Sequence, residues 1–467
     1  MNEQLYEKRI VIISGFLIAS FIGLFNETAL NMAFAQLIID FESDAPTIQW
    51  LTTGYLLTLG MLVPITSVLM QKYTTRQLFL TSVSLSLFGT LIAAVAPSFI
   101  VLFIGRIVQA AGTAIILPLM MQVVLMIYPP RKRGAAMGKI GLVIVFAPAT
   151  GPTVAGIVMN ILSWHFIFWL SAPFLIFALL IGMKHIENVS TVQEVKIDPL
   201  SLVLSTIGFG GIVYGFSISG KVGTFFDGEV LTPSMIGIIA LVLFTIRQFR
   251  LQQPMLNLRV FSYRMYTLGV ILIMSCMLMI LSTMVLLPIY LQNILQLTPL
   301  IAGLVLLPGG IINALMSVVS GNLFDKYGPK LMIPLGLIFS MTGLFALRSI
   351  DHETVIAYII VFHTMMFIGI SLTMMPAQTN GLNELPKSLY PDGTAVLSTL
   401  QQVAGAIGTA VAITVMSITN QHYLDTHGTS AEAVMQGSVL GIQNSITLGL
   451  AIACIAFICS LFLKRVQ

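Results

Sequence analysis

A carboxyl group stranded in an apolar stretch can take up and release one proton, and of the 18 Asp and Glu residues Glu27 alone is so placed, inside GFLIASFIGLFNETALNMAFA. Ionisable groups in such surroundings are expensive and mark ion or substrate paths. A second isolated charge is Arg106, in LFIGRIVQAAGTAI. Arginine cannot shed its proton, so it needs a partner or water, and Glu27 is the expected one. Burial favours the neutral form of a carboxyl, whereas a nearby guanidinium or bound cation favours the carboxylate, so proton release can be tied to ligand binding. Asn31 follows Glu27 by one helical turn, and Gln109 and Thr113 follow Arg106 at i+3 and i+7 on one helix face. These three read as candidates to line a polar cavity.

The elements that carry these residues must lie in a membrane. The chain has 467 residues, 57% hydrophobic and 9% charged, where soluble domains carry about 25% charged residues. Runs of about twenty apolar residues match a hydrocarbon core that only helices or closed barrels can cross. Fourteen runs are expected as helices, near 10–38, 47–70, 77–96, 99–126, 136–159, 164–184, 199–219, 234–250, 266–290, 300–321, 330–349, 355–377, 394–416 and 440–463. With the N-terminus inside, nineteen of the 22 Lys and Arg residues, Lys196 among them, fall on the cytoplasmic side; the exceptions are Lys221, Arg348 and the intramembrane Arg106. Both termini are therefore expected in the cytoplasm. Asp40 marks the outer end of the first span, roughly 20 Å beyond Glu27, and Ser98 precedes Arg106 by roughly 12 Å, so both charges belong to the outer half.

An internal repeat is visible eight spans apart. The loop after span two reads QKYTTR (Gln71 to Arg76), and the loop after span ten reads DKYGPK (Asp325 to Lys330). This predicts an all-helical membrane protein with a six-helix bundle over residues 1–190, two inserted helices over 191–262, and a second six-helix bundle over 263–467.

Other features carry less. Lys8 and Arg9 before an apolar run mimic a secretory signal, but the Ala33-Phe34-Ala35 pattern lies too far along, and an uncleaved first span is expected. Cys276, Cys454 and Cys459 form no metal pattern and read as buried apolar residues. His363 reads as an interior histidine and a further cavity candidate. Gly215 to Val222 only approximates a phosphate-binding loop, with Val222 in place of the required hydroxyl residue, so no nucleotide site and no metal or cofactor is expected. Many of the 26 methionines, such as Met120, Met121, Met374 and Met375, fall in spans four, nine and twelve, as suits an adaptable apolar pocket.

The motifs together resemble the major facilitator superfamily, and specifically its fourteen-helix drug:proton antiporters. LFNETALNMA is similar to that family's first-span element, with Asn26 where the usual Asp stands and Glu27 beside it. GRIVQAAGTA resembles the fourth-span element, which would make Arg106 the proton-relay arginine and Gln109 its glutamine. APATGPTVAG is similar to the antiporter motif, with Pro148, Gly151, Pro152 and Gly156 in place. SGNLFDKYGPK resembles the inner-loop motif, which would make Asp325 and Lys326 its gating acid and base, whereas the earlier copy has Gln71 in place of the acid. The resemblance implies a multi-pass transporter of a bacterial plasma membrane, not an enzyme. It would act as a monomer on amphipathic, often cationic or zwitterionic drugs, driven by the proton gradient, with no nucleic-acid partner. An alternative substrate is a physiological solute such as a lipid, peptide or signalling nucleotide.

Overall fold

A computed structural model describes residues 3–43, 45–189, 192, 198–222, 224, 226–252 and 254–466. Lys196 and the boundary expected at 190/191 lie outside the described residues, as do the side chains of Lys8, Arg9 and Lys221. Among the described residues there is no strand. Among them, fourteen helices are long and apolar enough to cross a membrane. They are α1 (Ile10–Ala33), α2 (Trp50–Lys72), α3 (Thr75–Ala94), α4 (Phe99–Ile127), α5 (Pro130–Ile161), α6 (His165–His185) and α7 (Pro199–Phe216), followed by α8 (Gly228–Arg250), α9 (Arg264–Ile294), α10 (Ile301–Tyr327), α11 (Pro329–Leu347), α12 (Ile356–Glu384), α13 (Lys387–His427) and α14 (Ala431–Ser460).

The chain forms two compact units. The first comprises Met1–Gly210, Ile239–Val260 and Leu385–Thr399; the second comprises Gly211–Ile238, Phe261–Glu384 and Leu400–Gln467. Within the first, α1 packs on α5 and α6 and reaches α4, α2 packs on α4, and α3 packs on α4 and α6. Within the second, most of these pairings recur eight spans later: α9 on α12 and α14, α10 on α12, and α11 on α12 and α14. Glycines set the closest of these approaches. A side chain on Gly89 of α3 would meet the Gly105 carbonyl of α4 at 2.6 Å, and Gly336 of α11 faces the Gly369 carbonyl of α12 at 2.6 Å from the same virtual position. Membrane helices gain no hydrophobic drive against lipid, so such backbone contact is a main source of their cohesion.

The two inserted helices meet through small residues too, with Gly208 of α7 against Leu241 of α8 in the first unit and Gly215 against Ser234 in the second. At the head of α7, Asp198 accepts from Arg247 Nε at 2.6 Å and Nη2 at 2.8 Å, and from Ser201. The Arg247 bond, helped by Ser201, holds the Asp198 carboxyl well below the usual carboxylate range.

Three sequence expectations need correction. The first run is not one helix to residue 38: a helix over Glu3–Ala29 passes into a tighter turn at Leu30–Ala33 and then a short helix, Phe34–Asp40. The thirteenth helix, expected over 394–416, runs unbroken over Tyr390–His427 and so draws residues of the preceding loop into its first turn. Cys276 is buried as expected, but Cys454 and Cys459 are only half-buried, because α14 presents its outer face, with Ile455 and Ile458, away from the protein.

Candidate functional site

Glu27 stands in the last turn of the helix Glu3–Ala29, half-buried, with Oε2 fully enclosed and without a hydrogen-bond partner. Arg106 on α4 is completely buried. The two side chains do not form the expected ion pair. Instead Arg106 Nη1 donates to the Asn26 carbonyl at 2.7 Å and to Gln109 Oε1 at 2.8 Å, and Nη2 reaches the Glu27 carbonyl at 3.5 Å. Nε is 3.5 Å from the Leu51 carbonyl. The physical reason lies in the helix end. The last four carbonyls of a helix lack partners within it, and the backbone dipole there attracts a cation, so Asn26 and Glu27 offer oxygens that need no carboxylate.

Tyr55 of α2, which the sequence did not single out, completes the arginine's cage. Its ring centroid is 4.2 Å from the guanidinium carbon, and its hydroxyl lies 2.9 Å from both the Gly23 carbonyl and Thr113 Oγ1. Gln109 in turn donates to Thr90 at 2.8 Å. Gln109 and Thr113 are both fully buried and bonded, so they hold Arg106 and Tyr55 in place and do not face open space. Asn31 is exposed and accepts from Thr52 at 2.7 Å; it falls in the tight turn, off the regular helical face that places residues one turn apart together. Asn26 is buried, and its Oδ1 accepts from Ser171 at 2.9 Å.

The proline motif of α5 packs against the residue next to Glu27. Pro152 has no N–H to give to the carbonyl of Pro148, four residues earlier, and Thr28 Oγ1 donates to that carbonyl at 2.9 Å. Gly151 makes room for this: a side chain there would strike Thr28 and come within 3.0 Å of the Phe25 carbonyl. Gly156 is less constrained, with Met32 Cε 3.7 Å from the virtual side-chain position. The turn of α1 that carries Glu27 is thus fixed on one side by Arg106 and on the other by Thr28.

Residues 16–409 match the family model described as Major Facilitator Superfamily. The chain belongs to this superfamily. It is 55% identical over 459 residues to a lincomycin resistance protein of Listeria monocytogenes, covering 98% of this chain and 97% of that protein. A lincomycin resistance protein of Bacillus subtilis is 51% identical over 468 residues, covering 100% of this chain and 98% of its own. The fold is similar to that of a major facilitator proton:xylose symporter, at 12% identity and a TM-score of 0.67 over 100% of this chain and 98% of that one. Fourteen membrane-crossing helices and these bacterial relatives make it a multi-pass protein of the bacterial plasma membrane.

In the second unit of this facilitator, His363 on α12 is 3% exposed, with its ring edge-on to Phe367 at 4.7 Å and Nδ1 packed on Gly309 of α10 without a hydrogen-bond partner. It therefore lies inside a helix contact within that unit. Asp325 and Lys326 end α10. The Asp325 carbonyl accepts from Arg465 at 2.7 Å, and Lys326 sits 5.0 Å from the Tyr327 ring centroid. Gly328 follows at a φ of 75°, a left-handed conformation that suits glycine, with Arg465 against it.

Proposed function

We propose that the protein exports lipophilic drugs, cationic or zwitterionic and including lincosamides, from the cytoplasm in exchange for protons, with Glu27 as the group that carries the proton. Relatives that share more than half of their residues with this chain over nearly its whole length are named for lincomycin resistance, which supports the drug class. The observation that carries the coupling is the enclosed, unpartnered Oε2 of Glu27 beside a guanidinium already held by neutral oxygens. With a proton on Glu27 this pocket has one net positive charge and repels a cationic drug. Once the proton leaves, the carboxylate balances Arg106, and a cation can approach at lower cost. Proton and drug then exclude each other, which is what exchange requires.

In this reading the carrier alternates access by rocking, the general route of such carriers, and the proton gradient alone supplies the energy. Everything named at the proton site comes from one chain, so a monomer suffices.

The test uses everted membrane vesicles energised to form an acidic lumen, with labelled lincomycin and a panel of lipophilic cations and neutral drugs. Glu27→Gln should abolish gradient-driven uptake while the amount of protein in the membrane is unchanged. Full gradient-dependent uptake by that variant would refute the assignment.

A further inference from the structure

The two inner loops differ in a way that the structure resolves. After α10 the repeat carries its own acid, Asp325; after α2 the matching position is Gln71. A carboxylate is nevertheless present at that place, from another part of the chain. Asp392, in the first turn of the helix Tyr390–His427, is 2% exposed. Its Oδ1 accepts from Ser67 Oγ at 2.6 Å, from the Asn257 backbone N–H at 2.9 Å and from Gln71 Nε2 at 3.5 Å. Gln71 also donates to Ser67 at 3.1 Å, one helical turn away on α2.

We propose that Asp392 is the acid of an inner latch in the first unit, replacing from α13 the carboxylate missing at Gln71, and that Ser67, Gln71 and Asn257 must release it for the transport cycle to turn. This rests on the transport reading above but not on the identity of the drug.

The chain's connectivity supports a releasable contact. Residues 385–399 belong to the first unit, whereas the same unbroken helix from Leu400 onward belongs to the second. Any motion that carries the helix along with the second unit pulls Asp392 from its donors. All three donors are neutral, so the contact costs less to open than a buried ion pair, in which each charge loses its partner. Tyr390, two residues earlier, meets the Arg133 guanidinium at 5.4 Å from its ring centroid, and Arg133 itself closes the end of α4 by donating to the Leu125 and Tyr128 carbonyls.

Asn257 contributes only its backbone to the acid, so its half-buried side chain can be replaced by a reporter. In a chain whose Cys276, Cys454 and Cys459 are changed to alanine, Asn257→Cys should react slowly with a maleimide in everted vesicles. Adding Asp392→Asn should speed that labelling at least fivefold and cut the maximal rate of lincomycin uptake by about tenfold with KM unchanged. Adding Gln71→Asp to that variant should return both to within about twofold, because the acid is back where the second loop has it. Labelling unmoved by Asp392→Asn overturns the latch. So does failure of Gln71→Asp to restore it, or absence of the Asp392→Asn protein from the membrane, either of which makes Asp392 a folding residue. If labelling behaves as expected but the unsubstituted protein moves no lincomycin, the latch stands and the drug assignment falls.

Discussion

Arg106 directs its planar fork at oxygens that the sequence does not spell out, because two of them are backbone carbonyls. Its charge was visible as an anomaly in oil, as was that of Glu27, since a charge there is costly wherever its partners are. Which groups meet it was not visible, and the expected ion pair gave way to a helix end, an amide and the ring of Tyr55. The same geometry argues against lysine at this position. An ammonium is a compact point donor that cannot reach Asn26, Gln109 and Glu27 as a fork, nor lie flat on a ring. Arg106→Lys therefore leaves one or more buried oxygens without a donor, at about 1–3 kcal/mol each, and should lower gradient-driven efflux by tenfold or more. Uptake of lincomycin in energised everted vesicles, normalised to the amount of protein, measures this. A lysine variant that pumps at the parent rate would show that the fork geometry is dispensable.

Between elements, the contact of α1 with α5 depends on a hydroxyl that makes good a missing backbone donor. Thr28→Val keeps the shape and leaves the half-buried Pro148 carbonyl without its donor, a penalty of about 1 kcal/mol. Pro152→Ala restores an N–H to the helix ladder one turn after Pro148, so in that background the carbonyl no longer needs Thr28. Thermal unfolding of the four proteins in detergent forms a double-mutant cycle. The valine should lower the midpoint in the parent and do little once alanine stands at 152; equal losses in both would mean that Thr28 acts by packing alone. The proline and glycine pattern was legible in the sequence, but its dependence on Thr28 was not, because partners across a helix contact are set by rotation and depth. Asp392 escaped notice for a related reason. It was assigned to a loop, where an acid is cheap, and only the earlier start of the helix at Tyr390 draws it into a buried cluster.

At the scale of the whole molecule, the number of spans was the most legible property, because both of its determinants are one-dimensional. An apolar run either reaches across the hydrocarbon or does not, and cationic loops stay on the cytoplasmic side. An even count of fourteen returns the chain to its starting side, and α7 with α8 adds a pair without disturbing that parity. A fluorescent protein that matures only in the cytoplasm, fused after Gln467, should therefore be bright on the full chain and remain bright when residues 199–250 are removed together. Removing residues 199–222 alone should cost most of that signal, since it would carry Arg259, Arg264, Lys326, Lys330, Lys387, Lys464 and Arg465 to the outer face, against the charge bias that sets orientation. A dark fusion on the full chain, or on the chain lacking both inserted helices, would mean that one of the fourteen helices does not cross the bilayer. The outer-half placement of Glu27 and Arg106 would then have to be redrawn.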